Sequence, residues 1–193
     1  MIREARIKRK TQETEIDLYL NVDGEGKVTV DTGYPFLDHM LDVFSCHGFF
    51  DLEVKAKGDI EVDKHHLVED VGICLGRAFS QAVGDKKGIK RYGWSVVPMD
   101  DVLVRCVVDV SGRALLVFDM KGDDEVKYSF RDFFRAFCRY SGFTLHLTVL
   151  YGEGLHHILE GMFKAFGISL DQATSIDVRR KSVPSTKGLI EEV

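Results

Sequence analysis

The stretch His65-His66-Leu67-Val68-Glu69-Asp70 decides the predicted fold, because a close copy, His156-His157-Ile158-Leu159-Glu160, occurs later in the chain. After each copy, apolar residues recur at steps of three and four, which is the period of an amphipathic helix. A histidine and a glutamate four positions apart lie on one face of a helix, where both can bind a single metal ion. The adjacent histidine points roughly 100° away around the axis, since a turn takes about 3.6 residues. Each of these HHxxE helices is therefore predicted to serve two metal ions.

The composition is that of an ordinary soluble globular protein, with 45% hydrophobic and 30% charged residues in a chain of 193. A chain of this length forms one domain or two small fused ones. The net charge of −5 argues against nucleic acid as the main partner. No apolar run approaches the ~20 residues of a membrane span, so no membrane partner is expected.

A cytoplasmic location is expected from the N-terminus and from the cysteines. Residues 1–6 lack the apolar core of a secretory signal. The cysteines at positions 46, 74, 106 and 138 are far apart and form no CxxC pair. Cys74 and Cys138 stand among apolar helix positions, which favours free thiols in a reducing compartment over disulfides or zinc ligands.

The first half of the chain is predicted to run β-β-α-β-α. Alternation of apolar and polar residues indicates strands, and Pro35 suits the first turn of a helix that Gly48 ends. The predicted elements are strands at 16–22 and 28–30, a helix at 35–47, a strand at 50–56, and the first HHxxE helix, which ends near Gly84.

The second half repeats this order. Its predicted elements are strands at 102–110 and 114–120, a helix at 129–141, a strand at 143–149 and the second HHxxE helix. Single residues correspond at a spacing of 94, which pairs Phe36, Asp38 and Gly48 with Phe130, Asp132 and Gly142. We therefore predict an α+β fold made by internal duplication of a ββαβα unit, with sheets packed against helices. The halves are 1–88 and 89–193, the latter including a C-terminal tail.

Two further histidines join the candidate metal ligands where the repeat breaks. His39 stands opposite Phe133 in this alignment, and His146 stands opposite Leu52. Either histidine alone is more often structural, and a lone His-His pair more often caps a surface helix, but the repeated HHxxE pattern favours ligation. The candidate set is His39, His65, His66, Glu69, His146, His156, His157 and Glu160. Eight such groups suffice for two ions, and a thiolate-free shell suits Mn, Fe, Co, Ni or Zn without choosing among them.

Several motifs together resemble the imidazoleglycerol-phosphate dehydratase family, over about residues 6–188. They are His65-His66-Leu67-Val68-Glu69-Asp70-Val71-Gly72, Phe36-Leu37-Asp38-His39-Met40-Leu41, Arg91-Tyr92-Gly93, Pro98-Met99-Asp100, Ser111-Gly112-Arg113 and Pro184-Ser185-Thr186-Lys187-Gly188. Each motif is weak alone, but the ordered set is specific. One departure is Gly154, which stands where the family usually has asparagine, and which puts a local substrate contact in doubt.

The resemblance implies a lyase of histidine biosynthesis. It would convert D-erythro-imidazoleglycerol phosphate to imidazole-acetol phosphate, using two Mn²⁺ ions per active site to bind the substrate as an imidazolate. The family fold is the duplicated ββαβα unit of the ribosomal protein S5 domain 2-like class. Its members form cubic homo-oligomers of about 24 subunits, with active sites between subunits.

The resemblance also implies the residues that contact the substrate. They are Glu13, His39, His47, His65, Glu69, Arg91, Arg113, His156, Ser185, Thr186 and Lys187. Glu13 is assigned as the catalytic base over Glu15, because it lies in a polar segment before the strand begins. Without the resemblance, Arg91 and Arg113 would suit surface salt bridges, and the tail would suit a frayed terminus. The resemblance assigns all of them to binding of the substrate phosphate.

Two other functions share the ligand set. A dinuclear metallohydrolase would use a metal-bound hydroxide as its nucleophile. An iron- or manganese-storing shell would not be an enzyme. Ferritin-like carriers place Glu-x-x-His on long bundled helices, whereas strands and helices alternate throughout this chain, which disfavours storage.

Overall fold

The computed structural model of the chain describes residues 3–121 and 125–190. The first unit follows the chain as β1 (Glu4–Lys10), β2 (Thr14–Asn21), β3 (Val28–Asp31), α1 (Pro35–Gly48), β4 (Asp51–Gly58) and α2 (Lys64–Val83). The second follows as β5 (Tyr92–Met99), β6 (Val102–Asp109), β7 (Leu115–Asp119), α3 (Glu125–Ser141), β8 (Thr144–Tyr151) and α4 (Leu155–Thr174). Each unit forms one sheet, in the orders β1-β2-β4-β3 and β5-β6-β8-β7. The equal strand orders confirm the α+β fold and its duplication.

Each unit begins with one strand more than the ββαβα pattern included. β1 and β5 pair antiparallel with β2 and β6. β1 is mostly charged and turns only two apolar side chains toward the core. β5 turns Gly93 and Ser95 inward, while Trp94 and Val96 are exposed. Neither strand shows large apolar residues alternating on its inner face, which is the signal that identified the others.

The helices lie between the two sheets. α1 and α2 cover one face of the first sheet, α3 and α4 cover one face of the second, and α2 packs on α3 as α1 packs on α4. Buried phenylalanine rings fill the space between the helix layers in tilted, stacked and edge-to-face contacts, among them Phe44, Phe79, Phe134, Phe137 and Phe166. The buried side chains of both units form one continuous core. The predicted boundary at residue 88 falls in the loop between α2 and β5 and stays a prediction.

Glycines allow the HHxxE helices to approach the neighbouring helices closely. A Cβ at Gly72 would lie 2.5 Å from the carbonyl oxygen of Phe133, and a Cβ at Gly76 would lie 2.6 Å from that of Phe137. Gly167 of α4 is as tightly placed against the Phe44 carbonyl of α1. Each HHxxE helix is therefore held against a helix of the other unit.

The residue-level alignment of the two units was wrong by one position within α1 and α3. Gly48 is the last residue of α1, and Phe49 takes the left-handed conformation that Gly142 takes after α3. The spacing is therefore 93, which aligns buried residues with buried residues: Leu37 with Phe130, Met40 with Phe133, Leu41 with Phe134 and Phe44 with Phe137. At this spacing His39 corresponds to Asp132, not to Phe133.

The same shift corrects the position of His146. Tyr19 pairs with Glu53 in the first sheet, and Val107 pairs with His146 in the second. His146 therefore corresponds to Glu53 and not to the buried Leu52. Side chains alternate across a strand, so one residue of offset moves a side chain to the opposite face of the sheet.

The outer faces of the two sheets differ in polarity. The first sheet presents charged side chains, including the Arg6–Asp17 ion pair. On the second sheet, Trp94, Val107, His146 and Val117 form one row across four strands through their register pairs. All four are exposed, with Trp94 at 65%. An exposed apolar face of this kind is typical of an interaction surface.

The predicted burial of Cys74 and Cys138 is confirmed. Within the described residues all four cysteines are free; Cys74, Cys106 and Cys138 are buried, and Cys46 is exposed. Burial raises the pKa of the Cys74 and Cys106 thiols to about 12, so these two are unreactive thiols at neutral pH. No helix in 3–121 or 125–190 is long and apolar enough to cross a membrane.

Candidate metal centre

Both HHxxE stretches open helices, as predicted, and both helices begin at the same end of the molecule. Asp63 caps α2, its side chain accepting a hydrogen bond from the His65 backbone N–H at 2.8 Å. Gly154 takes the cap position of α4 with φ +89° and offers no side chain. The second HHxxE helix therefore begins without the side-chain cap that Asp63 gives the first.

The first cluster joins His39 of α1 to His156 and Glu160 of α4. The Nε2 atoms of His39 and His156 lie 3.4 and 3.3 Å from Oε2 of Glu160, and the two rings stack with centroids 5.6 Å apart. Among the described residues this is the one trio of possible ligands whose donor atoms all lie within 4.8 Å of one another. Two imidazoles and a carboxylate in this arrangement suit a divalent transition-metal ion such as Mn²⁺ or Zn²⁺.

Glu160 is held in its ionised form. Burial raises the pKa of this carboxyl group, but hydrogen bonds from Lys164 and His39 outweigh burial, so the pKa lies below its ordinary value. The Lys164 ammonium lies 2.7 Å from Oε1 of Glu160. The other oxygen, Oε2, is therefore the one that faces the two histidines.

A second cluster stands at the equivalent place on α2. The Nε2 atom of His65 lies 3.3 Å from Oε2 of Glu69 and 3.6 Å from Oδ2 of Asp132 on α3. Asp132 is buried and is the structural counterpart of His39. Sequence reasoning missed its place in the cluster because the alignment was one residue out.

The second histidine of each pair points to other partners, as the roughly 100° rotation between adjacent helix positions predicts. Nδ1 of His66 lies 3.2 Å from Asp59 and 3.9 Å from Oε2 of Glu13. His157 lies 3.8 Å from Asp100 and 3.6 Å from Asp101. The hydrogen bond with Asp59 raises the pKa of His66 above its ordinary value.

Glu13 and the two aspartates occupy equivalent places in the duplication. Glu13 lies in the turn between β1 and β2, and Asp100 and Asp101 lie in the turn between β5 and β6. Each turn brings a carboxylate to the second histidine of its own unit. The contacts of His66 and His157 with Asp59, Asp100 and Asp101 come from tertiary packing, and the sequence spacing gave no signal for them.

Two predicted histidines lie outside these clusters. His146 is on the outer face of the second sheet, on the side away from the helices. His47 lies two turns beyond His39 on α1, where burial and the nearby Lys164 ammonium lower its pKa. The single chain thus assembles part of the predicted ligand set, and His146 faces outward.

The predicted phosphate contacts come together in one groove of about 930 Å³, lined by Arg91, Arg113, Ser185, Thr186 and Lys187 together with neighbouring residues. The Arg91 guanidinium pairs with Asp109 at 2.7 Å and donates to the Pro184 carbonyl at 2.9 Å, so it fastens the tail. Arg113 is 62% exposed in its side chain and is available to a ligand.

The groove and the histidine clusters are far apart within one chain. Asp100 and Asp101, next to His157, precede β6, whereas Asp109 beside Arg91 ends it. The strand between them has eight residues. At about 3.3 Å per residue it spans roughly 25 Å.

The fold and these contacts define a class: duplicated α+β proteins whose histidine–carboxylate clusters are built between the two halves. The imidazoleglycerol-phosphate dehydratase family model matches residues 32–170. The chain is 52% identical to the imidazoleglycerol-phosphate dehydratase of Syntrophobacter fumaroxidans (97% of this chain and 98% of that protein covered) and 53% identical to that of Acetivibrio thermocellus (98% and 100%).

Solved structures agree with this assignment. The dehydratase of Staphylococcus aureus superposes with a TM-score of 0.81 at 32% identity, covering 90% of this chain and 99% of that one. The Pyrococcus furiosus enzyme superposes with a TM-score of 0.79 at 34% identity, covering 95% and 99%. The chain belongs to the imidazoleglycerol-phosphate dehydratase family and is a lyase of histidine biosynthesis.

Proposed function

We propose that this chain converts D-erythro-imidazoleglycerol phosphate to imidazole-acetol phosphate in the cytoplasm, at a dinuclear manganese site completed by other copies of the chain. The observation that carries the proposal is the trio His39, His156 and Glu160, whose donor atoms lie within 4.8 Å of one another. The equivalent pair His65 and Glu69 supports a second ion.

The residues that would hold the two ions are the eight candidate ligands. Bound divalent metal ions supply Lewis-acid stabilisation of an imidazole ring that has lost its N–H proton. Adjacent imidazoles reach different partners: His65 approaches Glu69 while His66 approaches Asp59, and His156 approaches Glu160 while His157 approaches Asp101. Residues that face in two directions would hold two separate ions, which would stabilise the deprotonated ring of the substrate.

The groove supports phosphate binding at the other end of the substrate. Arg113 offers a largely exposed guanidinium, and Lys187 and the hydroxyls of Ser185 and Thr186 line the same groove. Charge-assisted hydrogen bonds of this kind suit phosphate oxygens. Arg91 also lines the groove as a proposed phosphate contact, and it holds the tail there through Pro184.

Glu13 is the base that would move the carbon-bound proton. Its side chain is 56% exposed and reaches within 3.9 Å of His66, a metal-ligand candidate. Glu15 points to the outer face of the first sheet and pairs with Lys10 at 2.6 Å, which lowers its pKa. Of the two carboxylates, only Glu13 lies beside the histidines.

Two features support a homo-oligomer. The groove and the clusters are separated by roughly 25 Å along β6, much longer than a molecule made of one imidazole ring, three carbons and a phosphate. His146 sits in the exposed apolar row with Trp94, Val107 and Val117. A second copy covering this face would bury the row and bring His146 into a shared site.

The direct test is an assay of manganese-loaded protein with imidazoleglycerol phosphate. We expect imidazole-acetol phosphate with one equivalent of water lost and no inorganic phosphate released. Release of phosphate would indicate a metallohydrolase, and metal binding without turnover would indicate storage; either result overturns the proposal.

The assembly is tested by measuring the oligomer size of the Trp94→Glu variant, with Tyr19→Glu on the charged first sheet as the control. We expect only Trp94→Glu to reduce the size, and equal oligomer sizes for the two variants would contradict the proposed assembly.

A further inference from the structure

Asp70, the residue after Glu69, lies on the side of α2 that faces the first sheet. It is buried, at 8% exposure. Its Oδ1 accepts a hydrogen bond from Nη2 of Arg9 on β1 at 2.9 Å, and its Oδ2 accepts one from the hydroxyl of Thr14 on β2. Both carboxylate oxygens are thus bound to the two strands whose connecting turn carries Glu13.

The turn is fixed around the Glu13 backbone. The hydroxyl oxygen of Thr11 accepts hydrogen bonds from the backbone N–H groups of Glu13 and Thr14, at 3.1 and 2.9 Å. The Glu13 carbonyl oxygen accepts one from the Asp59 N–H at 3.2 Å. The backbone of Glu13 is held on both sides, while its carboxylate is left to face His66.

The second unit shows that the fold does not require this polar network. By strand register and helix alignment, Val97, Val102 and Gly161 stand where Arg9, Thr14 and Asp70 stand in the first unit. The corresponding turn, between β5 and β6, therefore forms beside the corresponding helix, α4, without a polar side chain at any of the three positions.

Stability does not explain the network either. Replacing a buried ion pair by well-packed apolar groups of similar shape is often neutral or stabilising, so a part-buried carboxylate, guanidinium and hydroxyl are a weak means of stabilising the fold. In addition, Nε of Arg9 is buried without a hydrogen-bond partner in the described part of the chain. A buried donor left unpaired destabilises the fold, so the network needs a reason other than stability.

We propose that Asp70 and Thr14 are positioning residues, which fix the turn so that the Glu13 carboxylate stands beside His66. This inference rests on the proposed function, in which Glu13 transfers the carbon-bound proton. Asp70 lies next to the metal-ligand candidate Glu69 on the same helix. The network therefore ties the base to the helix that carries the metal-binding side chains, and sets their separation.

The test is a double-mutant cycle between Thr14→Val and Glu13→Gln, assayed in the metal-loaded oligomer. Thr14→Val keeps the shape of the side chain and removes the hydroxyl. We expect kcat to fall about 10–100-fold, as for a small displacement of a catalytic group, with KM and metal content unchanged. Thr14→Ser should restore kcat. In the Glu13→Gln background, Thr14→Val should cause no further loss.

Asp17→Asn is the matched control, because it breaks an exposed ion pair between the same two strands; its kcat should equal that of the unaltered protein. If Thr14→Val lowers kcat by the same factor with Glu13→Gln as without it, the two effects are independent and the positioning role is overturned. A Thr14→Val variant with a lowered melting temperature but an unchanged kcat would also overturn it. Failure of the unaltered protein to dehydrate the substrate would instead overturn the proposed function.

Discussion

Lys164 lies one turn after Glu160 on α4, and its ammonium is 2.7 Å from Oε1 of Glu160. This contact is mostly shielded from water, with side-chain exposures of 19% for the lysine and 11% for the glutamate. Because Oε1 is taken, Oε2 is left for His39 and His156. Lys164 therefore orients a candidate ligand without being one.

Lys164→Met should weaken metal binding by about 10–100-fold, the usual effect of losing a group that orients a ligand. The substitution keeps a long, flexible chain but removes the ammonium, so the Glu160 carboxylate is free to rotate. Competition with a chelator measures the affinity. Lys27→Met, which breaks the exposed Lys27–Glu25 pair, is the control; equal affinities for the two variants would contradict the orienting role.

His156→Ala and His65→Ala should each lose bound metal together with activity. The two clusters are separate, so each variant should lose about one of two ions and retain the other. Metal analysis of the purified proteins measures this loss. His47→Ala should keep its full metal content, since His47 lies outside both clusters. Full metal and turnover in either cluster variant would remove that histidine from the ligand set.

Truncation after Pro184 should raise KM strongly while leaving metal content intact. It removes Ser185, Thr186 and Lys187 from the groove but leaves Pro184, to which Arg91 donates. Each lost charge-assisted contact is worth about 1.5–3 kcal/mol, so binding should weaken by orders of magnitude. Steady-state kinetics gives KM, and an unchanged value would return the tail to a structural role.

Glu13→Gln should lower kcat by about 10²–10⁴ while substrate binding survives, because the amide keeps size and hydrogen bonding but cannot accept the proton. Glu15→Gln should remain close to the unaltered protein, since Glu15 is exposed and paired with Lys10. Parallel kinetics of the two variants decides the assignment. A collapse of kcat only in Glu15→Gln would transfer the role to Glu15.

The sequence predicted those elements whose inner faces are lined by large apolar residues. It missed β5 because that strand packs closely: a Cβ at Gly93 would overlap the Ser169 carbonyl oxygen of α4, and Ser95 binds the Ala165 carbonyl at 2.8 Å. Only small residues fit there, so the large side chains, such as Trp94, point outward. In a strand with one solvated face, the large apolar side chains normally point inward and the small or polar ones outward. In β5 this arrangement is reversed.

The sequence predicted those contacts of the site that form within a single helix. HHxxE spacing gave the His156–Glu160 and His65–Glu69 pairs, which are one turn apart on a helix. Asp132 and Lys164 could not be found in that way, because their roles depend on how α3 packs on α2 and on which oxygen of Glu160 is already bound. Motif spacing carries no such information.

The contact between His39 and Glu160 joins positions 121 residues apart in the chain. Neither half can form this cluster alone, so the cluster exists only after the halves have docked through their phenylalanine core. Non-local contacts of this kind form late and slowly during folding, because loop closure must come first. An ion held by His39 and Glu160 would bind only the docked form, and would therefore add its binding free energy to the core contacts that hold the two halves together.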